Sequence, residues 1–247
     1  MVKRTIIIGD IHGLKNELLE LLNTVSYDKK FDRLIFAGDL VDRGPDSAGV
    51  IQFAIENDVE VTIGNHDDKY IRYRRHERSG RKNPIELRSE KANVWRTLTD
   101  EHLSFLESQP CYIHIPEYNC MVVHAGVLPG KPIDKQERET YLFVRYVNRE
   151  THKKIHMGPN FSAPENGIHW TELYDGTVDI IYGHDVQSIA NPVVRCNSKG
   201  ARTIGIDTGA CFGGRLSAIV FSEKNPRGEF VQVESKFIYK KFKIVQR

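Results

Sequence analysis

Asp10 and His12 lie two residues apart at the end of the apolar run Ile6-Ile7-Ile8, between Gly9 and Gly13. A carboxylate and an imidazole at that spacing can both be aimed at one metal ion. The glycines let the backbone turn sharply and leave room for the ion and a substrate. Alone, Asp-x-His is a weak signal, but the pattern repeats. Leu34-Ile35-Phe36-Ala37-Gly38 runs into Asp39-Leu40-Val41-Asp42-Arg43-Gly44, and Val59-Glu60-Val61-Thr62-Ile63-Gly64 runs into Asn65-His66-Asp67. Met121-Val122-Val123 ends in His124-Ala125-Gly126, and Val178 to Tyr182 ends in Gly183-His184.

Five strand ends therefore supply Asp10, His12, Asp39, Asn65, His124 and His184. One glycine-flanked histidine at a strand end is more often structural than a ligand, but several together with carboxylates make that explanation poor. Hard oxygen donors mixed with imidazoles suit manganese, iron, zinc, cobalt or nickel better than calcium or magnesium alone. Six donors are too many for one catalytic ion with open positions. They suit two ions, roughly 3.5 to 4 Å apart, that share a carboxylate.

The elements that must place these residues read as an α/β chain. Leu14, Leu18, Leu21, Leu22 and Val25 predict a helix from Leu14 to Val25, and Val50, Ile51, Ala54 and Ile55 another from Ser47 to Asp58. Each helix returns the chain to a parallel strand, and ligands of open α/β sheets bind at the strand C-terminal ends. A helical, polar excursion follows over about 67–109, broken at Ser79-Gly80 and Pro84. Cys111–Ile115 and Cys120–His124 flank Pro116-Glu117-Tyr118-Asn119 as a hairpin. Asp134 with Glu137 resembles a capping box opening a helix to about Val147. A long polar loop is expected over about 148–176, and strands over Val193–Val245.

The length of 247 residues suits one domain spanning 1–247. Hydrophobic content of 40% and charged content of 28% are those of an ordinary globular enzyme. The first apolar segment is too short for a signal peptide and no stretch is long enough to span a bilayer, so the expected compartment is the cytoplasm, with no membrane partner. Cys111, Cys120, Cys196 and Cys211 lack C-x-x-C spacing. Cys111 and Cys120 could face each other across the hairpin, but four buried thiols are the simpler expectation. From Lys69 to Lys91 nine Lys or Arg stand against three Glu, on a chain of net charge +2. That segment is either a solvated helix face or a surface that steers phosphorylated ligands.

Taken together, Gly9-Asp10-Ile11-His12-Gly13, Gly38 to Gly44, Gly64-Asn65-His66-Asp67, His124-Ala125-Gly126 and Gly183-His184 resemble the calcineurin-like metallophosphoesterases. The resemblance is to the branch uniting serine/threonine phosphoprotein phosphatases with bis(5'-nucleosyl)-tetraphosphatases. Ile206-Asp207-Thr208-Gly209-Ala210-Cys211-Phe212-Gly213-Gly214-Arg215-Leu216 looks most like bacterial and phage diadenosine-tetraphosphatase-like members and the phosphatase module of polynucleotide kinase-phosphatases.

The resemblance implies a four-layer sandwich, two mixed β-sheets flanked by helices. It implies a first metal on Asp10 and His12, a second on Asn65, His124 and His184, and Asp39 bridging. His66 matches the general acid, Asp42 the carboxylate that orients it, and Arg43 a phosphate-binding arginine. Arg145, in Phe143-Val144-Arg145-Tyr146, is the candidate for a second. Asp67 stands where protein phosphatases usually carry Glu, which tilts the reading toward a nucleotide.

Two decoys are set aside. Cys196 to Arg202 fits the C-x5-R loop of cysteine-dependent phosphatases but lies between two strands as a hairpin turn. Ile206-Asp207-Thr208-Gly209 fits the aspartic-protease triplet but lacks a second copy, and the family match makes it a turn below the site. Trp95 reads as core; Trp170, in the long loop, is either core or a base-stacking platform. The expected activity is hydrolysis of a phosphate ester or phosphoanhydride, with two metal ions, manganese first, activating water. The expected substrate is a dinucleoside polyphosphate or other nucleotide phosphate. The alternatives are a serine/threonine protein phosphatase and a catalytically weak sensor or nucleic-acid-binding module using Lys69–Lys91.

Overall fold

A computed structural model describes residues 3–157 and 163–241. β1 (Arg4–Ile8), β2 (Asp32–Phe36) and β3 (Glu60–Val61) are parallel neighbours joined through α1 (Lys15–Thr24) and α2 (Ser47–Glu56). α3 (Asn65–Arg78), α4 (Glu90–Thr97) and α5 (Asp100–Ser108) follow as the helical excursion. A second sheet is built from β4 (Tyr112–Ile115) and β5 (Cys120–Val123), then β9 (Asp179–Tyr182), β10 (Val193–Cys196) and β11 (Arg202–Gly205), in the order β10-β11-β9-β5-β4. β12 (Asp207–Thr208), β13 (Arg215–Ser222) and β14 (Asn225–Glu234) return to the first sheet, where β13 lies antiparallel to β1.

The layers follow from the period-two alternation of side chains along a strand. Ile6 and Ile8 of β1 face the helices and pack with Leu18 and Leu21 of α1 and Val50, Ile51 and Ala54 of α2. Ile7 faces the other way, into a layer shared by both sheets with Ile35, Ile219 and Phe221 on one side and Ile113, Val122, Ile181 and Ile204 on the other. A strand buried on both faces needs an unbroken apolar run, which is why β1 shows no alternation in sequence. The far face of the second sheet, Met121, Val123, Ile180 and Tyr182, is covered by Tyr141, Val147, Ile168 and Trp170. Two mixed sheets between covering layers are therefore present, as expected.

The covering layer on that far side differs from expectation. The helix predicted from Asp134 to about Val147 is only α6 (Arg138–Phe143); a single 3-10 turn occupies Ile133–Lys135, and Glu137 precedes α6 without a side-chain cap. Past it the chain becomes β6 (Tyr146–Asn148), which pairs with β7 (Lys154–Ile155) and β8 (Gly167–His169) in a third, antiparallel sheet. Short pieces of the stretch expected as a loop over 148–176 are thus tied down by pairing, at Asn148, Lys154–Ile155 and Gly167–His169. Strands of two or three residues are too short to show a period, so only their partners reveal them. Residues 158–162 of that loop lie outside the described residues, as does the Val245 end of the strand-rich tail; strand pairing in the described part ends at Glu234.

Trp170 belongs to the core. It is fully buried, edge-on to Tyr182 with ring centroids 5.1 Å apart, so it cannot stack on a base. Trp95 is partly buried against Tyr70 and Tyr73. All four cysteines are free, but only Cys120 and Cys211 are buried; Cys111 is intermediate and Cys196 exposed. Cys120 pairs with Ile115 in the hairpin, so Cys111 and Cys120 do not face each other. Cys196 and Arg202 sit opposite one another across a turn between β10 and β11, which is a hairpin and no phosphate loop. Among the described residues no helix is long and apolar enough to cross a membrane.

The indole of Trp170 closes on Gly126, where an added Cβ would come within 2.4 Å of ring atoms at a φ of +156°. Gly126→Ala is expected to displace the indole and cost about 1–3 kcal/mol. An unchanged urea midpoint would contradict this placement.

Candidate active site

Because β1, β2 and β3 run parallel in one sheet and β5, β9 and β11 run parallel in the other, their C-terminal ends gather at one edge of the sandwich. Backbone bonds stitch the turns together. His12 N–H donates to the Asp39 carbonyl at 2.9 Å, and Gly183 N–H donates to the His124 carbonyl at 2.8 Å. The His184 N–H reaches across to the Asp10 carboxylate at 3.0 Å, joining the two sheets. Five of the eleven described non-glycine residues with positive φ are His12, Asp39, Asp42, Arg43 and His184. Backbone strain therefore concentrates where these side chains converge.

Asp39 stands at the centre. Its carboxylate lies 3.6 Å from His12 Nε2, 3.4 Å from His124 Nε2 and 4.0 Å from His66 Nε2, and one oxygen accepts from the His66 N–H at 2.9 Å. Asp10 sits 3.9 Å from His12 Nε2. Asn65 Oδ1 is 3.0 Å from His124 Nε2, and the rings of His124 and His184 stand 5.0 Å apart. Ligand atoms of Asp39, His124 and His184 fall within 4.8 Å of one another, as do those of His12, Asp39 and His66. All six residues expected as ligands are thus together, and His66 is at their edge.

The chemistry of this cluster fits metal ions. Nδ1 of His12 and Nδ1 of His124 bond to the carbonyls of Val41 and Ala37, each at 2.9 Å, which turns both Nε2 atoms inward. The buried Nε2 atoms of His12 and His184 have no hydrogen-bond partner among the described residues. Burial pushes both imidazoles well below their usual range, aided by Arg43 at His12 and Arg145 at His184; His124 is lowered for the same first reason. Neutral imidazole is the form that ligates. Burial raises Asp10 well above the carboxylate range, with Asp207 and Asp39 adding to it. Burial also opposes ionisation of Asp39, but the histidines around it win and hold it low. Buried carboxyls crowded beside unpartnered nitrogens form an arrangement that a cation relieves.

Beside the cluster, Asp42 receives His66 Nδ1 at 2.5 Å on one oxygen and the Tyr70 hydroxyl at 2.5 Å on the other. Lys91 also bonds to the oxygen that holds His66. Burial opposes the charge on Asp42, yet His66 and Lys91 overcome it and keep the carboxyl ionised. Arg43 places Nη2 3.3 Å from His66 Nε2, with Nη1 3.5 Å from Cys211 Sγ and the guanidinium over the Phe212 ring at 4.9 Å. Arg145 donates to Asp185 at 3.2 Å and to the His184 carbonyl at 2.9 Å, on the rim beside His184.

Sequence reasoning missed Tyr70, Lys91, Asp185 and Asp207. Tyr70 follows His66 by four residues on α3, so helical spacing was a usable signal. Lys91 was named only within the basic segment, with nothing near it to point to Asp42, and Asp185 carried no signal. Asp207, taken only as part of a turn, is buried, with Oδ2 unpartnered among the described residues. Asp67, whose identity tilted the reading toward a nucleotide, is fully buried and accepts from the Leu40, Val41 and Gly64 amides, holding the turn that carries Asp39. Of the nine cations from Lys69 to Lys91, Arg72, Arg74, Arg75, Arg78, Arg88 and Lys91 lie against carboxylates of this chain.

A family model described as calcineurin-like phosphoesterase matches residues 3–188. An asymmetrical bis(5'-nucleosyl)-tetraphosphatase PrpE of Oceanobacillus iheyensis is 33% identical over 96% of this chain and 95% of its own, and the protein of the same name from Bacillus subtilis is 30% identical over 94% and 95%. A crystal structure described as that of a candidate diadenosine tetraphosphatase superposes with a TM-score of 0.78 at 29% identity, covering 95% of each chain. A serine/threonine phosphatase of Saccharomyces cerevisiae shares the fold, with a TM-score of 0.57 at 16% identity over 94% of this chain and 80% of its own.

Burial pushes Asp207 up to about 6, Asp39 adding to it against the Gly209 amide and Arg43. That value lies above the ~3.9 of an ordinary aspartate, so the folded metal-free chain holds this proton more tightly than the unfolded chain. The resulting advantage is lost as pH rises from about 4 through about 6. Asp207→Asn removes the loss, worth up to about 3 kcal/mol. After chelation the variant is expected to melt above the wild type at pH 7.5 and level with it near pH 4; a lower Tm at pH 7.5 would contradict this.

Proposed function

The chain belongs to the calcineurin-like phosphoesterase family and is a metal-dependent hydrolase, and on that premise we propose that it hydrolyses dinucleoside polyphosphates asymmetrically, with residues 1–247 acting as one domain. The relatives' printed activity supports the substrate class, and the site supports the chemistry. What carries the proposal is a cluster of buried donors around Asp39 with Arg43 Nη2 and His66 Nε2 side by side at its edge.

Asp10 and His12 would hold one ion, Asn65, His124 and His184 a second, with Asp39 shared and manganese the first choice. Bound ions would supply Lewis-acid activation of water and neutralise charge on the phosphoryl oxygens. The chain's own groups do the rest. Arg43 is a planar donor fixed over Phe212 and beside Cys211, so it meets phosphoryl oxygens without reorganising. Arg145, braced by Asp185, approaches from the His184 side. Asp42 takes Nδ1 of His66, which leaves Nε2 facing the cluster. The oxygen of the attacking water bonds to phosphorus as the bond from phosphorus to the leaving oxygen breaks; that electron pair stays on the leaving oxygen, which takes the Nε2 proton of a His66 imidazolium whose Nδ1–H stays on Asp42. Tyr70 fixes the second oxygen of Asp42 and so the aim of the ring.

Diadenosine tetraphosphate and a phosphoserine peptide, assayed side by side with manganese, test this. Turnover of the nucleotide to a triphosphate and a monophosphate is expected, with the peptide at background. The reverse result would make the enzyme a protein phosphatase. His66→Ala is expected to lower kcat about 10²–10⁴-fold while keeping the metals. Asp39→Asn is expected to lose both metals and activity, as read by metal content.

A further inference from the structure

Next to His66, away from the metal-ligand cluster, lies an open cleft of about 500 Å³ walled by Lys69, Arg88 and Lys91 together with Glu86, Ser89 and Glu90. Lys91 forms both the cleft wall and the catalytic edge, since its ammonium bonds to Asp42 and lies 3.5 Å from His66 Nδ1. Lys69 follows His66 by three residues on α3 and so shares its side of the helix. The two acids of the wall are already matched, Glu86 to Arg88 at 2.7 Å and Glu90 to Lys240 at 2.8 Å. Burial and the neighbouring charge of Lys91 both push the Lys69 ammonium below its usual range. Two ammoniums thus face one cleft: Lys91 is held by Asp42, and Lys69 has no carboxylate partner among the described residues. Lys69 and Lys91 repel one another across the cleft, and an anionic ligand between them would relieve that repulsion.

We infer that this cleft is a subsite for the phosphates of the leaving group, so that the enzyme prefers phosphoanhydrides whose leaving half is itself a nucleoside polyphosphate. The inference rests on the proposed function in one respect, the place of His66 on the leaving-group side. A proton donor and the group that receives its proton must be adjacent, so the leaving half extends past His66, where Lys91 and then Lys69 and Arg88 stand. A phosphoserine peptide or a nitrophenyl ester sends no phosphate into that space. Selection between substrate classes then comes from these cations, while the metal ligands serve every phosphoryl group alike.

The test compares kcat/KM for diadenosine tetraphosphate with that for p-nitrophenyl phosphate, whose leaving group carries no phosphate. In the manganese-loaded full chain, the double variant Lys69→Met with Arg88→Met is expected to lower the ratio of the two about tenfold, and Lys69→Arg is expected to hold it within threefold of wild type. A fall of less than threefold in the double variant overturns the subsite, as does an equal fall with Lys69→Arg, which would make shape and not charge responsible. If the wild type cleaves p-nitrophenyl phosphate but not the dinucleotide, the proposed substrate fails separately. The subsite is then read by inhibition of nitrophenyl ester cleavage with inorganic tripolyphosphate: weaker inhibition of the double variant upholds it, and equal inhibition overturns it.

Discussion

The structure depends on burying Asp10, Asp39 and Asp207 among four imidazoles, three of them buried, at the seam of two sheets. No chain gathers like charges out of water without a compensating term. Here the compensation is divided. His12, His66, His124 and His184 surround Asp39 and keep it ionised, while Asp10 and Asp207 resist ionisation. That unevenness follows from position, because Asp39 lies between both sets of histidines and the other two carboxyls lie to one side. The inward Nε2 atoms of His12 and His184 remain without partners among the described residues. A cation resolves every one of these conflicts at once.

The fold serves this seam. Parallel strands bring their C-terminal ends to one edge, and two sheets packed face to face bring two such edges together. Only there can His184, on the second sheet, donate its amide to Asp10 on the first. The turns that make the approach are strained, with His12, Asp39, Asp42, Arg43 and His184 in left-handed backbone. Asp67 shows how the strain is held, since its buried carboxylate takes three backbone amides around the Asp39 turn and the start of α3.

Asp42 is the second centre of organisation. It joins the turn after β2 to α3 through His66 and Tyr70, and to α4 through Lys91. The helical excursion therefore does more than cover the first sheet. It sets the aim of His66 and supplies the cations that wall the cleft beside it. Most of the remaining charge of that excursion is spent in ion pairs within the chain, with Glu107 taking both Arg74 and Arg75, so its basic composition overstates what faces a ligand.

The ligand set, the strand-helix units and the family were legible in the sequence because they are local. A carboxylate or imidazole beside glycine at the end of an apolar run occupies only a few residues, and the helical repeat of Leu14, Leu18, Leu21 and Leu22 is visible within three turns. What could not be read was partnership. Lys91 meets Asp42 across 49 residues and Cys211 meets Arg43 across 168, and nothing near either residue marks the other. The third sheet was hidden because β6, β7 and β8 are too short to carry a period, and Trp170 was ambiguous because its burial depends on Gly126 and Tyr182. By itself the sequence determined which chemistry is present and roughly where the chain turns, since residue type and short spacing are written along the chain. Tertiary structure alone decided which groups meet, which carboxyls stay charged and which cations face the cleft, because those depend on sheet pairing and burial between residues far apart in sequence.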